Sequence, residues 1–181
     1  MKRQISCSGF GMYRLIEDKN NPVGIEIGAE TGATSEHLLL NKDDLILHCV
    51  DPFQPYTDHS VSGAEFPNHD DHYENFIARM KPYEGRMVLH RKISDEALEE
   101  FEDDAYDFIF IDGLHEYHQV KKDIENYYSK IKNGGVFAGH DYNYVADVKR
   151  AVDEFAALKK AEVKFTDHDV WYWIKGIDDE P

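Results

Sequence analysis

The sequence predicts an α/β domain: a mostly parallel sheet with helices on both faces. Three observations carry this. Apolar bursts alternate with amphipathic stretches about five times from Val23 onward, the rhythm of repeated βα units. The stretch 108–111 is unbroken apolar sequence, which suits a central strand covered on both sides. After the last helical stretch two strand-like segments follow each other directly.

The elements read in order as follows. Residues 23–28 form a short strand ending in glycine, and helical spacing covers 34–40. Residues 45–50, rich in Leu, Ile and Val, are the second strand. A polar loop with His and Pro runs from Asp51 to about Asp70. Tyr73, Phe76, Ile77 and Met80 then step at helical intervals before Pro82. The third strand is 86–90. Ser94 reads as an N-cap, with Asp95 and Glu96 complementing the helix dipole and Ala97, Leu98 and Phe101 as the buried face. Residues 106–111 are the fourth strand. Tyr117, Val120, Ile124, Tyr127 and Ile131 define one helix face, ended by Asn133-Gly134-Gly135. A short strand at 136–138 follows, then a helix whose face is Val145, Val148, Val152, Phe155 and Leu158. Strands at 163–166 and 170–174 pair, and the last four residues fray. With no repeat or linker, residues 1–181 read as one domain.

Charge narrows the function classes. The chain of 181 residues has 36 acidic and 20 basic side chains, a formal charge of −16. That opposes binding to nucleic-acid phosphates and to anionic membrane surfaces. Its apolar fraction of 41% and aromatic fraction of 13% speak for a packed core rather than an acidic disordered chain. No apolar run approaches the roughly 20 residues of a membrane span, and the first residues lack the apolar stretch of a signal peptide. Cys7 and Cys49 do not form a ligand spacing or a disulfide framework; Cys49 reads as a buried free thiol, and a reducing cytoplasm is the expected compartment.

In an open α/β sheet, ligands bind at the carboxyl ends of the strands. After the first strand comes Glu26-Ile27-Gly28-Ala29-Glu30-Thr31-Gly32. Its glycines permit a tight turn and close approach to a ligand, and the following helix offers free N–H groups. The G-x-x-x-G spacing does not match the dinucleotide fingerprint G-x-G-x-x-G. Asp51 follows the second strand, 19 residues beyond Gly32. A carboxylate at that distance can accept from both ribose hydroxyls; the alternative is a turn residue before Pro52, and the loop and Asp51 together favour a nucleoside-bearing cofactor. Asp112 and His115 follow the fourth strand; His140 and Asp141 follow the fifth. Carboxylates with imidazoles on one rim suit a hard or borderline divalent ion. His115 could instead serve as a general base.

These motifs together resemble a known family. The loop 26–32, Asp51-Pro52-Phe53, Phe110-Ile111-Asp112-Gly113-Leu114-His115 and Gly134-Gly135 through His140-Asp141-Tyr142 are similar to class I S-adenosylmethionine-dependent methyltransferases. The nearest branch contains small-molecule and sugar O-methyltransferases of the macrocin and cephalosporin-biosynthesis type. The resemblance spans residues 23–174. It implies a Rossmann-like seven-stranded sheet, mostly parallel, with the last strand inserted antiparallel. It further implies that Gly28, Ala29, Glu30, Thr31 and Gly32 hold the methionine end of S-adenosylmethionine, with Glu26 on its ammonium. Asp51 would bind the ribose, and Ile93 and Ser94 would flank the adenine. Asp112 and Asp141, with His140 as a candidate nitrogen ligand, would hold Mg²⁺ or Mn²⁺, and His115 would be the base. Position 140, often acidic in those relatives, is His here, which puts the ion's identity in question.

The acceptor implied is a small molecule or sugar hydroxyl. Relatives often cover it with longer N-terminal helices. Here only 22 residues precede the first strand, so the pocket is open, closed by the 52–72 loop, or completed by a second subunit of a homo-oligomer. His59, His69 and His72 with Asp58, Asp70 and Asp71 in that loop could form a second metal site; a solvated lid over the cofactor is preferred. Two other classes stay in view: a nicotinamide-dependent oxidoreductase and a non-catalytic nucleoside-binding module on the same fold.

Overall fold

A computed structural model describes residues 6–61, 64–66 and 69–179. Seven strands form one sheet: β1 (Val23–Ile27), β2 (Ile46–Val50), β5 (Met87–His90), β6 (Tyr106–Ile111), β7 (Ile131–Gly139), β8 (Lys164–Phe165) and β9 (Trp171–Ile174). Their order is β5-β2-β1-β6-β7-β9-β8. The first five are parallel, while β9 lies antiparallel between β7 and β8. This is the predicted Rossmann-like methyltransferase sheet, including its antiparallel insertion.

Side-chain alternation explains how both faces are covered. Along β6, Ile109 and Ile111 join one buried cluster and Phe108 and Phe110 the other. The first cluster receives Val120, Ile124 and Tyr127 of α5 (Tyr117–Tyr127) and Val148, Val152 and Phe155 of α6 (Ala146–Lys159). The second receives Met12 and Ile16 of α1 (Cys7–Ile16), Leu38 and Leu39 of α2 (Ala33–Asn41), and Phe76 and Met80 of α3 (His69–Met80). Trp171 and Trp173 point inward from β9 into the first cluster.

Several elements differ from the sequence reading. Helix α1 was not foreseen; Ser6 caps it by accepting from the Gly9 N–H at 2.9 Å. The polar 52–72 segment contains a hairpin of β3 (Tyr56–Asp58) and β4 (Ala64–Phe66), and α3 already begins within it. Ser94 is not an N-cap: Ile93 occupies that position, and Ser94 is the first residue of the one-turn α4 (Ser94–Ala97). Its hydroxyl is engaged by another side chain instead.

Helix α5 ends at Tyr127, so Ile131 starts a strand rather than continuing the helix face. Helix face and strand start enter the same core, which is why the periodicity runs on. Gly134 sits within β7 at φ +79, where the pairing with β6 shifts register. Leu158 and Ile77 are exposed; in α6 the buried stripe turns toward Ala151 and Ala156, small residues that a count of large apolar positions passes over. The chain end is tied rather than frayed at Asp178, which accepts from Lys164 Nζ at 2.6 Å and the Ile174 N–H at 2.9 Å; residues 180–181 lie outside the described residues. No helix among the described residues is long and apolar enough to cross a membrane.

Candidate active site

A cavity of about 420 Å³ opens over the carboxyl ends of β1, β2, β5 and β6. The turn after β1 forms its floor. Gly28 has φ +89, and a side chain there would meet the Asp112 carbonyl oxygen at 2.1 Å. Gly32 caps α2 in the left-handed region at φ +76. Glycine is required at both places by conformation, and at Gly28 by contact as well. Gly28, Ala29 and Glu30 line the cavity, with Ala33 and Thr34 of α2 beyond them. Thr31 and Gly32 shape the turn without lining it.

Asp51 is fixed by backbone donors. Oδ2 accepts from the Glu30 N–H at 2.8 Å and Oδ1 from the Phe53 N–H at 2.7 Å. It faces the cavity. Each oxygen keeps acceptor capacity for a diol. Glu26 is buried below the turn, where Ser35 Oγ donates to it and Cys49 Sγ lies 3.8 Å away. Burial, with the nearby charges of Asp112 and Asp51, pushes its carboxyl up to about 8 against the hydrogen bonds from Ser35 and Cys49. Cys49 is the buried free thiol expected; Cys7 is free and exposed.

The other end of the cavity holds Ile93, Ser94 and Asp95 from the loop after β5, and Gln119 and Asp123 from α5. Asp123 is 2% exposed, and burial raises its carboxyl to about 6. Gln119 and Asp123 were not singled out from sequence. A signal was there: Asp123 falls on the apolar face of α5, between Val120 and Ile124.

Asp112, His115, His140 and Asp141 do meet on one rim. His115 Nδ1 donates to Asp58 Oδ2 at 2.7 Å and Nε2 to Asp141 Oδ2 at 2.9 Å. The His115 N–H also reaches Asp58 Oδ2, at 3.1 Å. Burial works against the imidazolium, but the two carboxylates outweigh it and raise His115 to about 9. Asp141 is lowered despite burial, by hydrogen bonds from His115 and His140. His140 Nδ1 lies 3.2 Å from Asp141 Oδ2 and 3.8 Å from Asp112 Oδ1. Burial raises Asp112 to about 6 even with His140 and His115 beside it.

Asp58 was read only as part of the histidine-rich loop. It is completely buried at the end of β3, and its other oxygen takes the Ser60 N–H at 3.0 Å. The second metal site weighed for that loop does not involve Asp58, which is committed to His115, and His59 is exposed; the side chains of His69 and Asp70 lie outside the described residues. The one group among the described residues whose donor atoms all lie within 4.8 Å of one another is Asp112, His115 and Asp141. Two carboxylates and an imidazole are a donor set that fits a hard or borderline divalent cation. Sequence had named His140 as the nitrogen donor; it stands beside this group.

A protein-family model described as a methyltransferase domain matches residues 25–142, the stretch from β1 through the rim. The chain belongs to this family. Its sheet order and antiparallel insertion are those of the S-adenosylmethionine-dependent class.

Solved structures share the methyltransferase fold at low identity. A caffeoyl-CoA O-methyltransferase, so described provisionally, from Staphylococcus aureus is 17% identical with a TM-score of 0.73, covering 96% of this chain and 85% of that one. The O-methyltransferase NovP is 20% identical with a TM-score of 0.68, covering 92% and 77%. TomG from Streptomyces achromogenes, an O-methyltransferase of tomaymycin synthesis in complex with SAM, is 11% identical with a TM-score of 0.65, covering 96% and 82%. An uncharacterized protein, y4gI, of Sinorhizobium fredii is 38% identical over 69 residues, 38% of this methyltransferase. The chain spans only 8% of that protein's length.

Proposed function

We propose that this methyltransferase transfers the methyl group of S-adenosylmethionine to a hydroxyl of a small polyhydroxy acceptor, sugars included. The observation that carries this is His115, clamped between Asp58 and Asp141 at the edge of a cavity whose floor is the glycine turn and whose wall is Asp51. The cofactor's ammonium pairs with Glu26, its methionine end lies on the turn 28–32, its ribose meets Asp51, and its adenine lies by Ile93 and Ser94.

The sulfonium methyl is already activated, so the protein's task is alignment. The acceptor oxygen attacks the methyl carbon as the carbon–sulfur bond breaks, giving the methyl ether and S-adenosylhomocysteine. His115 Nε2 takes the hydroxyl proton from its neutral fraction, with Nδ1 held on Asp58. Asp112 and Asp141, with His140 beside them, are the residues that would hold Mg²⁺ or Mn²⁺. When bound, such an ion supplies positive charge where the acceptor oxygen ionises.

The test is formation of S-adenosylhomocysteine from S-adenosylmethionine over a panel of vicinal diols, catechols and sugars. We expect turnover with diols, and loss of it in His115→Ala and Asp141→Asn. Transfer to amines alone would contradict the hydroxyl reading, and full activity in excess EDTA would remove the ion.

A further inference from the structure

The clamp on His115 is itself held from outside, by a carboxylate that the transfer chemistry does not use. Asp147 stands partly buried in the first turn of α6. Its Oδ2 accepts from Ser60 Oγ at 2.6 Å and from the Tyr117 N–H at 3.4 Å. A carboxylate at a helix start commonly serves that helix's own free N–H groups. These two bonds leave α6 and join two other segments instead. Ser60 is two residues beyond Asp58, in the turn after β3, and Tyr117 is two residues beyond His115, at the start of α5. One oxygen therefore grips both sides of the Asp58–His115 contact.

Ser60 is bound twice. Its N–H donates to Asp58 Oδ1 at 3.0 Å while its hydroxyl reaches Asp147. With Oδ1 engaged, Asp58 turns Oδ2 to His115, where it accepts from both Nδ1 and the backbone N–H. A two-stranded hairpin is only marginally stable alone, so the place of Asp58 depends on what ties its turn down. We infer that Asp147 is a positioning residue for the His115 base, acting through Ser60 on Asp58 and through Tyr117 on the chain that carries the imidazole. The inference rests on the reading of His115 as the base. Without Asp147 the imidazole keeps Asp58 as a neighbour but not at a fixed distance, and a misplacement of about 1 Å is enough to slow transfer about a hundredfold.

Steady-state kinetics with catechol as acceptor and Mg²⁺ present, beside calorimetric titration with S-adenosylhomocysteine, tests this. Ser60→Ala and Asp147→Ala should lower kcat by about tenfold or more, with S-adenosylhomocysteine affinity within about twofold of wild type. Ser60→Thr keeps the hydroxyl and Asp147→Asn keeps an acceptor oxygen, so both should restore kcat to within about threefold. The proton on His115 Nδ1, assigned by its loss in His115→Gln, gives a second readout that needs no acceptor. Its NMR resonance should be present in wild type, Ser60→Thr and Asp147→Asn, and broadened by exchange in both alanine variants. If Asp147→Ala does not fold, Ser60→Ala decides. A resonance and kcat unchanged in Ser60→Ala overturn the inference, as does a loss in the Thr and Asn variants as deep as in the alanine ones. Should wild type transfer no methyl group to catechol, the resonance alone decides the inference, and that failure falls on the acceptor reading.

Discussion

Glu26 illustrates what a single buried carboxyl does to this protein. Burial lifts it to about 8 from its ordinary value near 4.5. The folded state therefore favours the protonated acid more than the unfolded chain does. That stabilisation is complete below pH 4.5 and is lost as the pH rises through 8. Glu26→Gln, neutral at every pH, should gain stability relative to wild type between pH 5 and pH 9, by several kcal/mol at about 1.4 kcal/mol per unit. Urea unfolding at three pH values reads this directly, and a difference independent of pH would contradict the assigned burial. Asp51 gives a second expectation. Asp51→Ala should weaken S-adenosylhomocysteine binding by about 1.5–3 kcal/mol, far more than Asp112→Ala. Equal affinities in wild type and Asp51→Ala, measured by calorimetry, would take this residue off the ribose. Asp51, Asp112, His115 and Asp141 were legible in sequence because each follows an apolar strand, where ligand sites gather. Asp58 was not: it reaches His115 only through the fold, from a hairpin with no apolar alternation to announce it. Gln119 was equally silent, since its hydrogen bond to Ser94 joins two elements that only the fold brings together.

At the scale of elements, close packing overrides local preference. Gly9 and Gly11 lie inside α1, where glycine costs a helix about 1 kcal/mol. An added Cβ at Gly9 would meet His37 Cβ at 2.8 Å, and at Gly11 would meet Thr166 Oγ1 at 2.7 Å. Those contacts explain why two helix-weakening residues stand there, and why sequence alone does not reveal α1. The same constraint is stronger in β1. A Cβ at Gly24 would fall 2.1–2.4 Å from the Phe108 ring in the neighbouring strand. Gly24→Ala should therefore destabilise by about 1–3 kcal/mol or more, while Gly85→Ala, with nothing within 4 Å, should not. Chemical denaturation separates the two, and equal stabilities would refute the packing argument. The β3–β4 hairpin is held to the rim by Asp58 on His115 and by Ser60 Oγ on Asp147 at 2.6 Å. In Asp58→Ala its amides at 56–58 and 64–66 should exchange faster with solvent while those of β1 and β6 do not change; unchanged hairpin exchange would show that Asp58 does not hold it.

On the scale of the whole molecule, the excess of acid is not spread evenly in its consequences. Among the described residues the cavity is lined by seven carboxylic side chains, Glu26, Glu30, Asp51, Asp95, Asp112, Asp123 and Asp141, and by no Lys or Arg. Such a cleft concentrates a cationic ligand and disfavours a polyanionic one. S-adenosylmethionine carries a sulfonium and an ammonium; a nicotinamide dinucleotide carries a pyrophosphate, for which the cavity lining offers no Lys or Arg and only His115, which is already paired with Asp58 and Asp141. Sheet order, antiparallel insertion and the family match agree with that electrostatic preference. The measurement that tests it most directly is calorimetric titration of the unmodified chain with S-adenosylhomocysteine and with NAD, paired with melting curves. Saturable binding of S-adenosylhomocysteine, with about 2.7 kcal/mol of added stability at one hundred times its dissociation constant and no response to NAD, is the predicted result. Tighter binding of NAD would contradict it.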